Sequence, residues 1–190
     1  LATGQIQALT TGQVVALSQQ QFAALSADQL DALSTSQMQA IETRDLVALS
    51  AAQWASFTTG QVASLQTNQI AAIETLDLAG LTTQQVNALT TDQLGALGTQ
   101  HYAALRTDQL TALSTDQVQA LRTAALHALT TRQVQALTAD QFDALSSSQL
   151  QAFSTTQVAA LTTDQLASFS AGQLNTLDRK STRLNSSHLG

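Results

Sequence analysis

The segment Leu17-Ser18-Gln19-Gln20-Gln21-Phe22-Ala23-Ala24-Leu25 decides the fold. With Ser18 at a helix N-cap, Gln21 is the third helical residue. Its side chain can take the Ser18 amide while the Ser18 hydroxyl takes the Gln21 amide, the reciprocal pairing of a capping box. Leu17 and Phe22 then occupy the two places of a hydrophobic staple. Ala, Leu and Gln fill the rest with good helix formers.

The same signal recurs every eight residues. Leu9, Leu17, Leu25, Leu33, Ile41, Leu49 and Phe57 begin a series that runs unbroken from Leu1 to Leu177, 23 places held only by Leu, Ile or Phe. Three residues before each stands a second apolar column, with Val14, Phe22, Leu30, Met38, Leu46 and Trp54. Four before stands Gln, broken only at Asp45, Asp77, His101 and Ala125. One before is small: Ala16, Ala24 and Ala32, with Ser56, Ser64, Gly80, Ser168 and Thr176 as exceptions. Self-similarity at a fixed short period is the mark of a stacked repeat architecture.

A cap residue has non-helical backbone angles, so a start signal every eight residues is also a bend every eight residues. Each helix is limited to about two turns at ~3.6 residues per turn, and helices shorter than ~12 residues do not persist alone in water. They must stack. The expectation is an all-α solenoid over residues 1–177, one very short helix per eight-residue repeat, with both large apolar columns and the small column inward and Gln, Thr and Ser on the surface. One continuous helix fails on phase, because eight residues at 100° overshoot two turns by 80° and wind the apolar stripe around the surface. A parallel β-solenoid is the alternative, suited by the Thr columns. Against it, Ala, Gln and Asp are poor strand residues, and the apolar places alternate by five and three rather than by two.

Two details stay open in the sequence. Glu42, Gln66, Glu74, Gly98, Arg106 and Arg122 stand where Ser or Thr is usual, each followed by Thr, so the capping place can shift by one. The stretch Ile41-Glu42-Thr43-Arg44-Asp45-Leu46 recurs 32 residues on as Ile73-Glu74-Thr75-Leu76-Asp77-Leu78, which is either chance or a fixed number of units per coil.

Composition narrows the function. Lys and Arg number 7 against 13 Asp and Glu, a net charge of −6, which argues against nucleic acid or an anionic membrane as partner. With no Cys there is neither a disulfide framework nor a thiolate metal site. No apolar run approaches the ~18 residues of a membrane span, so no membrane insertion is expected.

Catalytic, cofactor and metal sites are not expected. Chemistry needs unlike residues at non-repeating places, and here nearly every residue belongs to a column. His101 and His127 lie 26 apart with no ligand pattern around them, and read as surface or capping residues. Asp28, Asp92, Asp108, Asp116, Asp140 and Asp164 share the second helical place, where a carboxylate suits the positive end of the helix dipole. A calcium ladder is the alternative for them, but the glycine pattern of calcium β-rolls is missing. Trp54 and Tyr102 fall in the staple column and read as core.

The repeat stops at Leu177. Residues 178–190, Asp-Arg-Lys-Ser-Thr-Arg-Leu-Asn-Ser-Ser-His-Leu-Gly, have neither the Gln nor the Ala column. They resemble the in-frame translation of a sequencing-adapter oligonucleotide, which implies a stretch foreign to the array. Without them the array carries 12 Asp and Glu against 4 Lys and Arg, a net −8. A start in mid-repeat without Met reads as a piece of a longer array.

The unit Leu-Ser/Thr-Thr-Asp-Gln-Val-x-Ala-Leu resembles the octapeptide-repeat arrays of large bacterial surface or secreted haemagglutinin-like proteins, some with calcium-binding secretion modules beside them. The resemblance covers residues 1–177. It implies a structural spacer or stalk of an adhesin-like protein, extracellular or at the cell surface. A solenoid scaffold binding a protein or glycan partner is the alternative, with end-to-end self-association through uncapped faces. An ice-binding Thr array is a third reading, conditional on the β-solenoid.

Overall fold

The computed structural model describes residues 2–177, so the expectation for residues 178–190 lies outside the described residues. Among the described residues there are 21 helices from α1 (Thr3–Gln7) to α21 (Thr163–Ser168), followed by a helical stretch at 171–177, and no strand. The repeat is therefore an all-α solenoid with one short helix per unit. The β-solenoid alternative fails, and the ice-binding reading that depended on it goes with it.

Each helix has five or six residues, as in α4 (Ala27–Asp31) and α5 (Thr35–Ala40), about one and a half turns rather than two. The bend comes from the cap. Ser18 has φ −72° and ψ 154°, and every other N-cap is likewise extended. The first place of the unit is the N-cap throughout, so the register does not shift where Ser or Thr is missing. At Gln66, Gly98 and Arg106 the cap makes no side-chain cap bond, but its N–H still donates to the third helical residue: to Gln69 Oε1 at 2.7 Å, His101 Nδ1 at 2.9 Å and Gln109 Oε1 at 2.9 Å. The backward half of the capping box is enough to hold the start.

The chain divides into two compact units at Leu105–Arg106. In the first, each helix packs on the helix three further along: α4 on α7 (Ala51–Ser56), and α7 on α10 (Thr75–Gly80). The second repeats the rule with α16 (Thr123–Ala128) on α19 (Ser147–Ala152). Side-chain hydrogen bonds between coils span 25 to 31 residues, as in His127 to Ala152 and Gln141 to Leu110. A coil therefore closes between three and four units, not at a whole number. The 32-residue recurrence places Asp77 four helices after Asp45, more than one coil on, so it does not mark a whole number of units per coil.

Both large apolar columns are inward. Leu30, Trp54, Val62 and Leu94 of the staple column are wholly buried, and so are Leu33, Phe57 and Leu65 of the other to within a few per cent. Trp54 meets Phe57 edge-on at 5.5 Å, and Phe142 meets Phe169 likewise in the second unit. Burying such a side chain is worth about 1.5–3 kcal/mol. The small column is half-buried rather than core, and it sets how closely helices approach. A Cβ at Gly80 would stand 2.8 Å from the Ala51 Cβ on α7.

The largest departure concerns glutamine. Beyond the first coil the Gln column leaves the surface: Gln37, Gln61, Gln69, Gln85 and Gln93 are buried, and the second unit repeats this from Gln109 to Gln173, while Gln5, Gln13 and Gln21 are exposed. A buried amide must be hydrogen-bonded at both its oxygen and its nitrogen to be tolerated, and backbone groups of two different helices meet that demand.

Candidate functional site

Each interior glutamine closes two helix ends at once. Gln61 Oε1 accepts the N–H of its own N-cap, Thr58, at 2.8 Å. Its Nε2 donates to the carbonyls of Leu30 at 2.8 Å, Asp31 at 3.0 Å and Leu33 at 2.8 Å, at the C-terminal end of α4 one coil back. They lie where a helix terminus leaves carbonyls short of donors; Leu30 also accepts the Leu33 N–H at 3.1 Å, so there the amide is a second donor. Gln37 does the same for Ile6 and Leu9, both at 2.8 Å, and Gln85 for Trp54 at 2.9 Å and Phe57 at 2.7 Å. In the second unit Gln157 serves Leu126 at 3.0 Å and Leu129 at 2.6 Å. The result is a seam of amides from coil to coil.

The exceptions to the column test this reading. His101 is buried, with Nδ1 accepting the Gly98 N–H at 2.9 Å and Nε2 placed 2.9 Å from the Ile73 carbonyl. A neutral ring protonated at Nε2 thus copies both functions of the amide. It is a capping residue, as expected, but not a surface one. Ala125 is buried with no polar side chain to offer. Asp45 and Asp77 bring carboxyls into the seam. Burial pushes the Asp45 carboxyl above its ordinary range, against the nearby Arg44 guanidinium and with help from Glu42. Burial and then Glu74 raise Asp77.

The exposed surface offers little for chemistry. Asp28, Asp92, Asp108, Asp116, Asp140 and Asp164 are exposed at the second helical place. Arg106 binds Asp108 at 3.0 Å through both Nε and Nη2, and this hydrogen bonding holds the Asp108 carboxyl below its usual value. Among the described residues no group of three or more His, Asp or Glu is arranged to hold a metal. Trp54 and Tyr102 are core, with the Tyr102 hydroxyl donating to the Leu94 carbonyl. His127 is exposed, with Nδ1 3.0 Å from the Ala152 carbonyl.

A groove of about 390 Å³ lies over the first unit, lined by Gln39, Glu42, Thr43, Arg44, Gln66 and Asn68. Its two charges are spent on each other, Arg44 Nε lying 2.8 Å from Glu42 Oε2. Among the described residues no helix is long and apolar enough to cross a membrane.

The sequence pattern missed the outward half of the glutamine, although one signal carried it. A capping box accepts Glu as readily as Gln at its third place, and the helix dipole favours Glu there. Yet no Glu occurs anywhere in the column. Only an amide provides an acceptor and a donor together.

Compared with known families, the chain matches the model of the ALTTAQ repeat at residues 1–35, 38–73, 70–107, 94–123, 118–147 and 140–171. The motif stands nearly verbatim at residues 88–93, Ala-Leu-Thr-Thr-Asp-Gln. No curated protein matches the chain.

Proposed function

Because the chain belongs to the ALTTAQ repeat family, we propose that it acts as a non-catalytic, length-setting spacer of a bacterial adhesin-like protein, outside the cell or on its surface. The observation that carries this reading is the seam. One residue column makes the bonds between coils, as Gln61, Gln85 and Gln157 show, so units can be added or removed without new chemistry. The polar residues that catalysis would need are already committed to helix ends. The octapeptide resemblance to haemagglutinin-like surface arrays supports the compartment.

The test is to delete the four units from Ser50 to Leu81 and measure the hydrodynamic radius together with binding to glycan arrays and cell extracts. A spacer shortens, stays folded and retains nothing specific. Specific retention of a glycan or protein that is lost with those units would replace the spacer by a binding scaffold.

A further inference from the structure

The seam carries amides along most of its length and carboxyls at two places, and the buried one at Asp45 has a consequence of its own. Asp45 is on α6 (Thr43–Val47), with its side chain 1% exposed. Its Oδ1 is buried without a hydrogen-bond partner. Unlike the glutamines, it does not close its own helix start, and Glu42 at the N-cap receives no side-chain cap bond.

The register shows what Asp45 faces. Gln37, Gln61 and Gln69 each donate to carbonyls 28 and 31 residues back. For Asp45 those places are Val14 and Leu17, at the end of α2 (Thr11–Val15). A carboxylate can only accept, and so can a carbonyl. Ionised, Asp45 sets acceptors against acceptors in a buried place. As the neutral acid it has one hydrogen to donate, where the amide has two.

We propose that Asp45 is a proton-binding joint in the solenoid: protonated, it donates to a carbonyl at the α2 end and closes the seam, and ionised, it weakens the seam at that coil.

The charged surroundings are few. On its own element Arg44 Nε lies 3.4 Å from Oδ1, and Glu42 holds the same guanidinium at 2.8 Å. The neighbours α3 (Gln19–Ala23) and α9 (Thr67–Ala71) carry no charged residue, nor does α2. The α10 helix, four further along, carries Asp77, a carboxyl in the same column place, 5% exposed, with Leu76 where Arg44 stands. Burial raises the Asp45 carboxyl above its ordinary value. A carboxyl raised in the folded state contributes stability that is complete below its unfolded value, near ~4, and is lost as pH rises through the folded value. Acid therefore strengthens this joint, opposite to the usual effect of a paired carboxylate.

The experiment measures unfolding of the full chain from pH 4 to 8 for the wild type and Asp45→Gln, which restores the column residue. The variant should unfold with an equilibrium constant about tenfold smaller than wild type at pH 7, for each unit by which the folded value is raised. That ratio should shrink as pH falls to 4. A ratio independent of pH overturns the proposal. Asp45→Asn, an amide of the same length that does not titrate, must lose the same pH dependence. The Asp45 carboxyl carbon followed by NMR gives a reading independent of the variants. A midpoint above the ordinary Asp value supports the joint, raised further by Arg44→Ala, and one at or below it overturns the joint.

Discussion

Gln13 and Gln61 occupy the same place of the same unit in two coils, and they do different work. Both close a capping box, Gln13 with the Thr10 N–H at 2.8 Å and Gln61 with the Thr58 N–H at 2.8 Å. Gln13 is exposed and goes no further. Gln61 is 4% exposed and holds three carbonyls of the coil before it. Local structure is thus identical where the tertiary consequence is not. The amide is a helix-start residue everywhere, and a bond between coils only where another coil lies behind it.

The sharpest way to break this comparison is Gln61→Ala. It removes the start bond and takes the amide donor from the buried Leu33 carbonyl, at about 1–3 kcal/mol for an unsatisfied group, while Leu30 keeps the Leu33 N–H at 3.1 Å. A loss of about 3 kcal/mol or more in chemical unfolding is expected. A loss no larger than that of Gln13→Ala would show that the seam adds nothing to the cap.

Gly80→Ala is the next in size. Helix propensity alone favours Ala by up to ~1 kcal/mol, but the new Cβ meets Ala51 at 2.8 Å, and overpacking costs about 1–3 kcal/mol. Net destabilisation of about 1 kcal/mol is expected. Pairing it with Ala51→Gly should cost less than the two single changes added together, a non-additivity expected only of residues in contact. A stabilised Gly80→Ala would mean that α7 and α10 do not approach closely.

Gln13→Ala should have a smaller effect, about 0.5 kcal/mol, because only an exposed cap bond is lost. Gln13→Glu should be neutral within error, since a carboxylate also accepts the cap amide. At Gln61 the same change to Glu should be strongly destabilising at neutral pH and milder in acid, because it sets a carboxylate against carbonyls as Asp45 does. Thermal melts of the four variants side by side would test both halves of the amide's function.

Much of this was legible in the chain. Ser18, Gln21 and the Leu17–Phe22 pair are local, and their spacing alone fixes helix starts every eight residues. The burial of Trp54 and Tyr102 followed from column membership. The expectation of surface glutamines failed because the partners of Nε2 are backbone carbonyls, which every residue has and no sequence displays. For the same reason the open choice of cap register resolved in favour of one place: at Gly98 and Arg106 the acceptor comes from the third helical residue, so the missing hydroxyl is not required.

The sequence by itself determined the unit: a short helix, its start, its bend and its two apolar faces, because capping and staple contacts join residues no more than five apart. The tertiary structure decided how units meet. Coils closing between three and four units set the partners 25 to 31 residues apart, and only that geometry turns a column of capping glutamines into a buried seam and Asp45 into its weak point. The helix-start bonds form within one unit, whereas the seam exists only when a second coil brings its helix-end carbonyls to the amide.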